Sequence, residues 1–459
     1  MNVGGSVPGN YSLDILNLPN LQMLSSLDEG DHYRIEAQGN LLPISCPYCA
    51  NSLYRHGSQR QSYMDTPIHG KRVLLEIERK RFRCKVCGKT LFEPLPDMDG
   101  KRQATSRLIR YVEDRCLKKT FLSLAREVGI DDKTVRFIFN DLVKRLETEI
   151  RFETPEILGI DEIKIIGEYR TTITNIEKLS LYDLCQPRKK TDIASYFAEI
   201  PDRHNVKVIV INMWSHYQEM AKEQFLGKLI VVDKSHVIRM ANEALEKVRK
   251  RIRKELEAKE RIKLKNEQFV LLKRCGTLTE KETAQFEKWS KLFPELKIAY
   301  ELKEKFFEIY DKGSRVAAES HAKQWELSIP SEVENEFKDL KIALRNWWVE
   351  IFNYFEYPVT NTYNESVNNL AKSINRMGRG YSVEVIRARL LFDEIAQKES
   401  RTSIRSKPRK TGNDDNRGAD AFFNITFGRD YGTDEDLRVV EYGPHIPTLV
   451  RLLEEDHFS

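Results

Sequence analysis

The chain has 459 residues, 40% of them hydrophobic and 32% charged, with 22 Gly and 16 Pro. This balance excludes a wholly disordered or collagen-like chain, and at roughly 150 residues per domain the length calls for several domains. The net charge is a modest +5, no run reaches the roughly 18–20 apolar residues of a membrane span, and seven scattered cysteines form no disulfide framework, so a reducing, cytoplasmic, membrane-free setting is expected.

Residues 1–40 are predicted to be a loose lead-in with one short apolar helix (LDILNLPNLQMLSSL). The start shows neither a basic leader nor an apolar signal core. Residues 1–50 are acidic, with one basic and five acidic side chains, whereas 51–150 hold 22 basic and 14 acidic ones. A second basic excess lies at 246–274, with 12 basic and 5 acidic residues. Such local blocks suggest faces for phosphate, although a solvated helix face is the alternative for 246–274.

Cys46-Pro-Tyr-Cys49 and Cys84-Lys-Val-Cys87 are two C-x2-C knuckles, and between them RVLLEIERKRFRC alternates like a half-buried strand. Two pairs of thiolates complete a tetrahedral zinc site, and four protein ligands make that site structural. A lone redox C-x-x-C would not explain the second pair. Cys116, Cys185 and Cys275 read as ordinary thiols.

Residues Thr120–Arg145 predict a helix-turn-helix. Leu122, Ala125 and Val128 form one stripe, Gly129 breaks the helix, and Asp131 or Asp132 caps the next, which buries Val135, Ile138 and Phe139. Lys133, Thr134 and Arg136 then lie where a recognition helix meets DNA. Beside a zinc module and a basic excess, the hairpin points to double-stranded DNA as partner.

From 155 to 235 strands alternate with helices. EILGIDEIKI, EYRTTITNI and KLSLYDLC, a helix, then VKVIVI give the strand–helix order of a ribonuclease-H-like sheet. Asp161 sits in a buried apolar run, and much later Glu365 opens a helix with Asn368 and Lys372 on the same face. Two-metal phosphoryl transfer needs acids converging from separate elements, and Asp161 and Glu365 suit Mg²⁺ or Mn²⁺ in that role. Asn368, Lys372, Arg376 and Arg379 are expected beside DNA phosphates. Trp347 and Trp348 are adjacent in a predicted helix, so one is expected in the core while the other is free to stack on a base.

Taken together, CPYC…CKVC, the helix-turn-helix, GIDEI, VVDKSHVIRMANEALEKVR and NESVNNLAKSINRMGRGYS resemble the ISL-three group of bacterial insertion-sequence transposases over about residues 40–395. The resemblance implies a multidomain α/β chain: an N-terminal zinc ribbon and helix-turn-helix, then a ribonuclease-H-like mixed sheet interrupted by a helical insertion. The implied divisions are a lead-in 1–40, zinc ribbon 41–98, helix-turn-helix 99–150, catalytic core 151–239 and 351–398, insertion 240–350, and a linker with C-terminal extension 399–459. It implies an Asp-Asp-Glu transposase that binds terminal inverted repeats, cuts and joins DNA strands, and works as a homo-oligomer on DNA.

On this resemblance Asp161 is the first catalytic acid and Glu365 the last. The second acid position reads Asn212-Met213, an amide in place of a carboxylate, which weakens metal binding. Asp233, in the D-x-x-H segment that ends at His236, is either a substitute or a support. The alternative function is a catalytically disabled DNA-binding protein or repressor. A nuclease outside transposition would explain the carboxylates but not the zinc and helix-turn-helix modules.

Overall fold

In the computed structural model, residues 16–185, 190–257, 264 and 268–403 are described. They fall into two compact units, one of residues up to 236 together with 347 onward, the other a helical unit over 237–346.

The first unit begins with a five-stranded sheet: β1 (Leu21–Asp28), β2 (His32–Gly39), β3 (Leu53–Ile68), β4 (Lys71–Cys84) and β5 (Thr90–Phe92), ordered β1-β2-β4-β3 with β5 on β4. Strand β1 corrects the expected apolar helix. Pro19 interrupts helical hydrogen bonding, and Leu21 and Met23 alternate toward the core while the backbone pairs antiparallel with β2. β3 and β4 form a hairpin closed by His69 (φ 52°) and Gly70 (φ 77°), the left-handed pair that a two-residue turn requires. On β4, Val73, Leu75 and Ile77 alternate inward and pack with Leu16, Leu18, Ile35, Ala37 and Tyr63.

Three helices follow: α1 (Ser106–Cys116), α2 (Phe121–Val128) and α3 (Asp132–Glu149). Thr105, Thr120 and Asp131 cap them through side-chain oxygens, and Gly129 (φ +80°) ends α2 in the left-handed conformation, as the sequence predicts. Their apolar faces do not close on themselves. Leu108, Val112, Leu124, Val135, Ile138 and Phe139 belong to one core with Ile163, Leu181, Val367, Ile386 and Leu390 from the α/β part of the unit.

The second sheet holds β6 (Ile157–Ile165), β7 (Glu168–Asn175), β8 (Ser180–Leu184), β9 (Val208–Ile211) and β10 (Leu229–Val232), with α4 (Lys190–Glu199) before β9 and α5 (Ser215–Gln224) before β10. Its order is β10-β9-β6-β7-β8, antiparallel across β6-β7-β8 and parallel across β6-β9-β10. This is the mixed sheet that the order of strands and helices in the sequence leads one to expect. β9 is buried at every position, as a parallel strand covered on both faces must be.

After α6 (Lys234–Lys254) come α7 (Gln268–Leu272), α8 (Glu280–Leu292), α9 (Pro294–Phe307), α10 (Arg315–Leu327) and α11 (Glu334–Asn346) of the helical unit. Trp325 lies at its centre, 4.7 Å from Phe306, with its indole N–H donated to Leu302 O. Among the described residues of the basic stretch at 246–274, several cations are paired in place. Lys247 pairs with Asp339, Arg249 with Glu246, Arg251 with Glu295 and Glu336, and Arg274 with Asp311.

The chain re-enters the first unit with α12 (Trp348–Phe352), α13 (Thr362–Gly378) and α14 (Val383–Ser403). As expected, one tryptophan is core: Trp347 is buried ahead of α12, whereas Trp348 is half-buried and packs on Phe352 at 4.5 Å. The linker expected from 399 begins as the end of α14, and 404–459 lie outside the described residues. No helix among the described residues is long and apolar enough to cross a membrane.

Arg389 on α14 ties the helical triplet to the core. Its guanidinium, 2% exposed, donates to Cys116 O and Lys119 O beyond α1 and lies over the rings of Phe121 and Tyr381. Arg389→Met leaves those carbonyls without a donor, so unfolding in denaturant is expected to lose about 2–3 kcal/mol, read from the shift in midpoint at constant slope.

Candidate functional site

Asp161 lies in the middle of β6, opposite Thr172 of β7, and is 6% exposed. Burial pushes its carboxyl above the ordinary carboxylate range. β9 pairs with β6 through Gly159 and Val210 and ends at Ile211, so the next residue emerges beside Asp161. That residue is Asn212, whose Nδ2 donates to Asp161 Oδ1 at 3.4 Å. The other carboxylate oxygen accepts Asn368 Nδ2 at 2.9 Å. Asn368, expected on DNA phosphates, is instead buried against Asp161, because α13 lies on the sheet rather than projecting from it.

What pins α13 there is Asn361, the residue before its first turn. Its side chain donates to Ile160 O at 3.1 Å, its amide oxygen accepts Asn364 Nδ2 at 2.6 Å, and its backbone N–H reaches Asp233 Oδ1 at 3.1 Å. Gly159 permits this approach. A Cβ there would collide with Asn361 Oδ1 and stand 2.6 Å from Thr174 Oγ1. Glu365, half-buried, follows Asn364 and precedes Asn368 by one turn, on the face that meets Asp161. Lys372, Arg376 and Arg379 are exposed further along, and Arg379 ends the helix at φ 44°.

Asp233 follows β10 and is fully buried. Burial alone would raise its pKa, but hydrogen bonds from His236, Ser235 and the Asn361 N–H outweigh it and hold the carboxyl below its ordinary range. His236 Nδ1 is 3.3 Å from Asp233 Oδ2, and its Nε2 is 3.8 Å from Asp161 Oδ1. Asp161, Asn212, Asp233, His236, Asn361 and Asn368 therefore form one cluster. Sequence reasoning missed Asn361 and Gly159 as its fasteners. A polar asparagine before a helix and a glycine inside a strand carry no local sign of a pairing some 200 residues apart.

Cys46, Cys49, Cys84 and Cys87 converge at the far end of the β3–β4 hairpin, with their sulfurs all within 4.8 Å of one another. Cys46 and Cys87 are 3.6 Å apart and Cys49 and Cys84 3.4 Å, near the roughly 3.8 Å spacing of sulfurs around tetrahedral zinc. Each knuckle turns on a left-handed residue, Ala50 (φ 56°) and Gly88 (φ 69°). Hydrogen bonds from the Asn51 backbone and side chain bring the Cys49 thiol down to about 6, so it is thiolate at neutral pH.

On α3, Lys133 and Arg136 are exposed, as a DNA-facing surface needs. Thr134 is half-buried, and its hydroxyl is spent on the Asp131 cap at 2.8 Å. Phe137, not singled out in the sequence, stands 60% exposed beside them.

Comparison with known proteins bears on all three sites. A transposase family model of the ISL3 type matches residues 158–390, just over half of the chain. The zinc-finger of transposase IS204/IS1001/IS1096/IS1165 matches 42–87, and the helix-turn-helix domain of transposase family ISL3 matches 93–143. The transposase for insertion sequence element IS1001 of Bordetella parapertussis is 20% identical over 346 residues, covering 73% of this chain and 85% of that protein.

A zinc ribbon predicts stoichiometric metal. The purified protein is expected to carry one zinc per chain by elemental analysis. Cys84→Ser, which removes a buried ligand, is expected to lose it and to make the β3–β4 hairpin a ready target for limited proteolysis.

Proposed function

We propose that this chain, which belongs to the ISL3 family of transposases, binds the terminal inverted repeats of its own insertion sequence and catalyses metal-dependent strand cleavage and strand transfer. The observation that carries the reading is the approach of two distant segments to one buried carboxylate. Asn212 and Asn368 both touch Asp161, and Glu365 lies one turn before Asn368.

The donor set suits a divalent cation. Asp161 and Glu365 are hard oxygen ligands, and the amide oxygens of Asn212 and Asn368 are buried without hydrogen-bond partners beside Asp161. Asp161 and Glu365 would hold the metal, which when bound polarises the scissile phosphate and its attacking oxygen. The chain's own contribution is positional. β6 holds Asp161, and Asn361 and Asn368 fix against it the helix that carries Glu365. Lys372 and Arg376, exposed on α13, are suited to the flanking phosphates. Lys133 and Arg136 on α3 are suited to the end sequence, with the zinc ribbon beside them.

A second reading has its own support. Asn212 occupies the second acid position and adds no negative charge, which favours an end-binding protein with little or no cutting activity. An excision and strand-transfer assay with the DNA flanking the gene separates the two. Asn212→Asp is expected to exceed the unaltered chain by roughly 10–100-fold, the equivalent of a few kcal/mol of transition-state stabilisation. Glu365→Ala is expected to abolish joining in either background. Equal activity of the unaltered chain and Asn212→Asp would remove residue 212 from the catalytic set.

DNA binding is checked without chemistry. Lys133→Ala and Arg136→Ala are each expected to weaken end binding, and each to lower the slope of log affinity against log salt by about one where a phosphate contact is lost.

A further inference from the structure

Asp161 has one neighbour with metal-binding chemistry that the three-acid reading leaves unused. His236 lies in the first turn of α6, with Nε2 toward Asp161 and Nδ1 toward Asp233. Asp233 cannot swing away. It is fully buried, with its carboxylate held by Ser235, by the Asn361 N–H and by His236. With Nδ1–H donated to Asp233, the lone pair on Nε2 faces Asp161. A carboxylate behind an imidazole is the usual way proteins fix the tautomer and aim of a metal-binding histidine.

The spacing agrees. Two ligands each about 2.1–2.2 Å from one ion stand roughly 3–4.3 Å apart, and Nε2 lies 3.8 Å from Asp161 Oδ1. Asn368 supplies an independent sign of a ligand. It is 7% exposed, its Nδ2 is committed to Asp161, and its amide oxygen has no partner.

We infer that His236, aimed by Asp233, is a direct ligand of the ion held by Asp161. The inference rests on Asp161 as a metal ligand. An imidazole in place of a carboxylate shifts preference from Mg²⁺ toward transition ions, so Mn²⁺ should bind more tightly than Mg²⁺. Asp233 is then a positioning residue, acting through His236.

The test is Mn²⁺ titration of the full-length, zinc-loaded protein, followed by electron spin-echo spectroscopy of the bound ion. Imidazole-nitrogen modulation is expected in the unaltered chain and in His216→Ala, and its loss is expected in His236→Gln. Labelling the histidines with heavy nitrogen should change the modulation without any substitution, so the result does not depend on a variant folding. Asp233→Asn is expected to weaken Mn²⁺ binding by about 10–100-fold. Mn²⁺ that binds, is lost in Asp161→Ala, and shows no nitrogen modulation would overturn the role of His236 and leave Asp161 as a ligand. Modulation that survives His236→Gln would do the same. Absence of any Asp161-dependent Mn²⁺ binding would remove both readings.

Discussion

The site depends on a buried negative charge that has to be satisfied. A lone carboxylate without water or partners costs several kcal/mol, so Asp233 is tolerable only where donors surround it. Those donors come from Ser235 and His236 just downstream and from the backbone of Asn361, more than 120 residues away. Satisfying the charge therefore brings the start of α13 against the end of β10. The Asn361 side chain then reaches across to Ile160 O, into space that Gly159 leaves open. Asp161 and the Glu365 helix are held together by fasteners that are themselves uncharged or fully compensated.

The same unit carries its DNA-reading helices on the core rather than on a tether. α1, α2 and α3 have no separate apolar centre. They share one with β6, β8, α13 and α14. The Phe121 N–H donates to the Tyr381 hydroxyl, and the Tyr381 ring fills the space over Gly378, where a Cβ would collide with it. The corner between α13 and α14 is thus also the platform under α2. An α3 helix seated on DNA would hold a fixed orientation to the Asp161 cluster.

Charge is distributed in keeping with this. Within α6, Lys247, Arg249 and Arg251 are paired with acids of the same helical unit, so part of the excess there serves packing. Exposed cations remain on α3 and along α13, on either side of the shared core. Exposed pairs contribute little stability, which leaves these side chains free to be spent on a phosphate backbone.

Where a local rule decided the outcome, the sequence was mostly sufficient, although Leu122 of the expected α2 stripe is 53% exposed and Phe121 and Leu124 face the core in its place. The C-x2-C knuckles, the Asp131 cap, the Gly129 stop and the apolar runs of β6, β9 and β10 depend on neighbours a few residues away. The local rule failed at Leu21–Asp28, where an apolar segment long enough for a helix found a strand partner in β2. Tertiary structure alone decided that Asn368 faces Asp161, that Lys247, Arg251 and Arg274 are paired with distant acids, and that Asp233, His236 and Asn361 form one cluster. Each of these pairings joins segments distant in sequence or turns on which face is buried, and neither composition nor periodicity encodes which polar side chain will meet which once the sheet and α13 have closed.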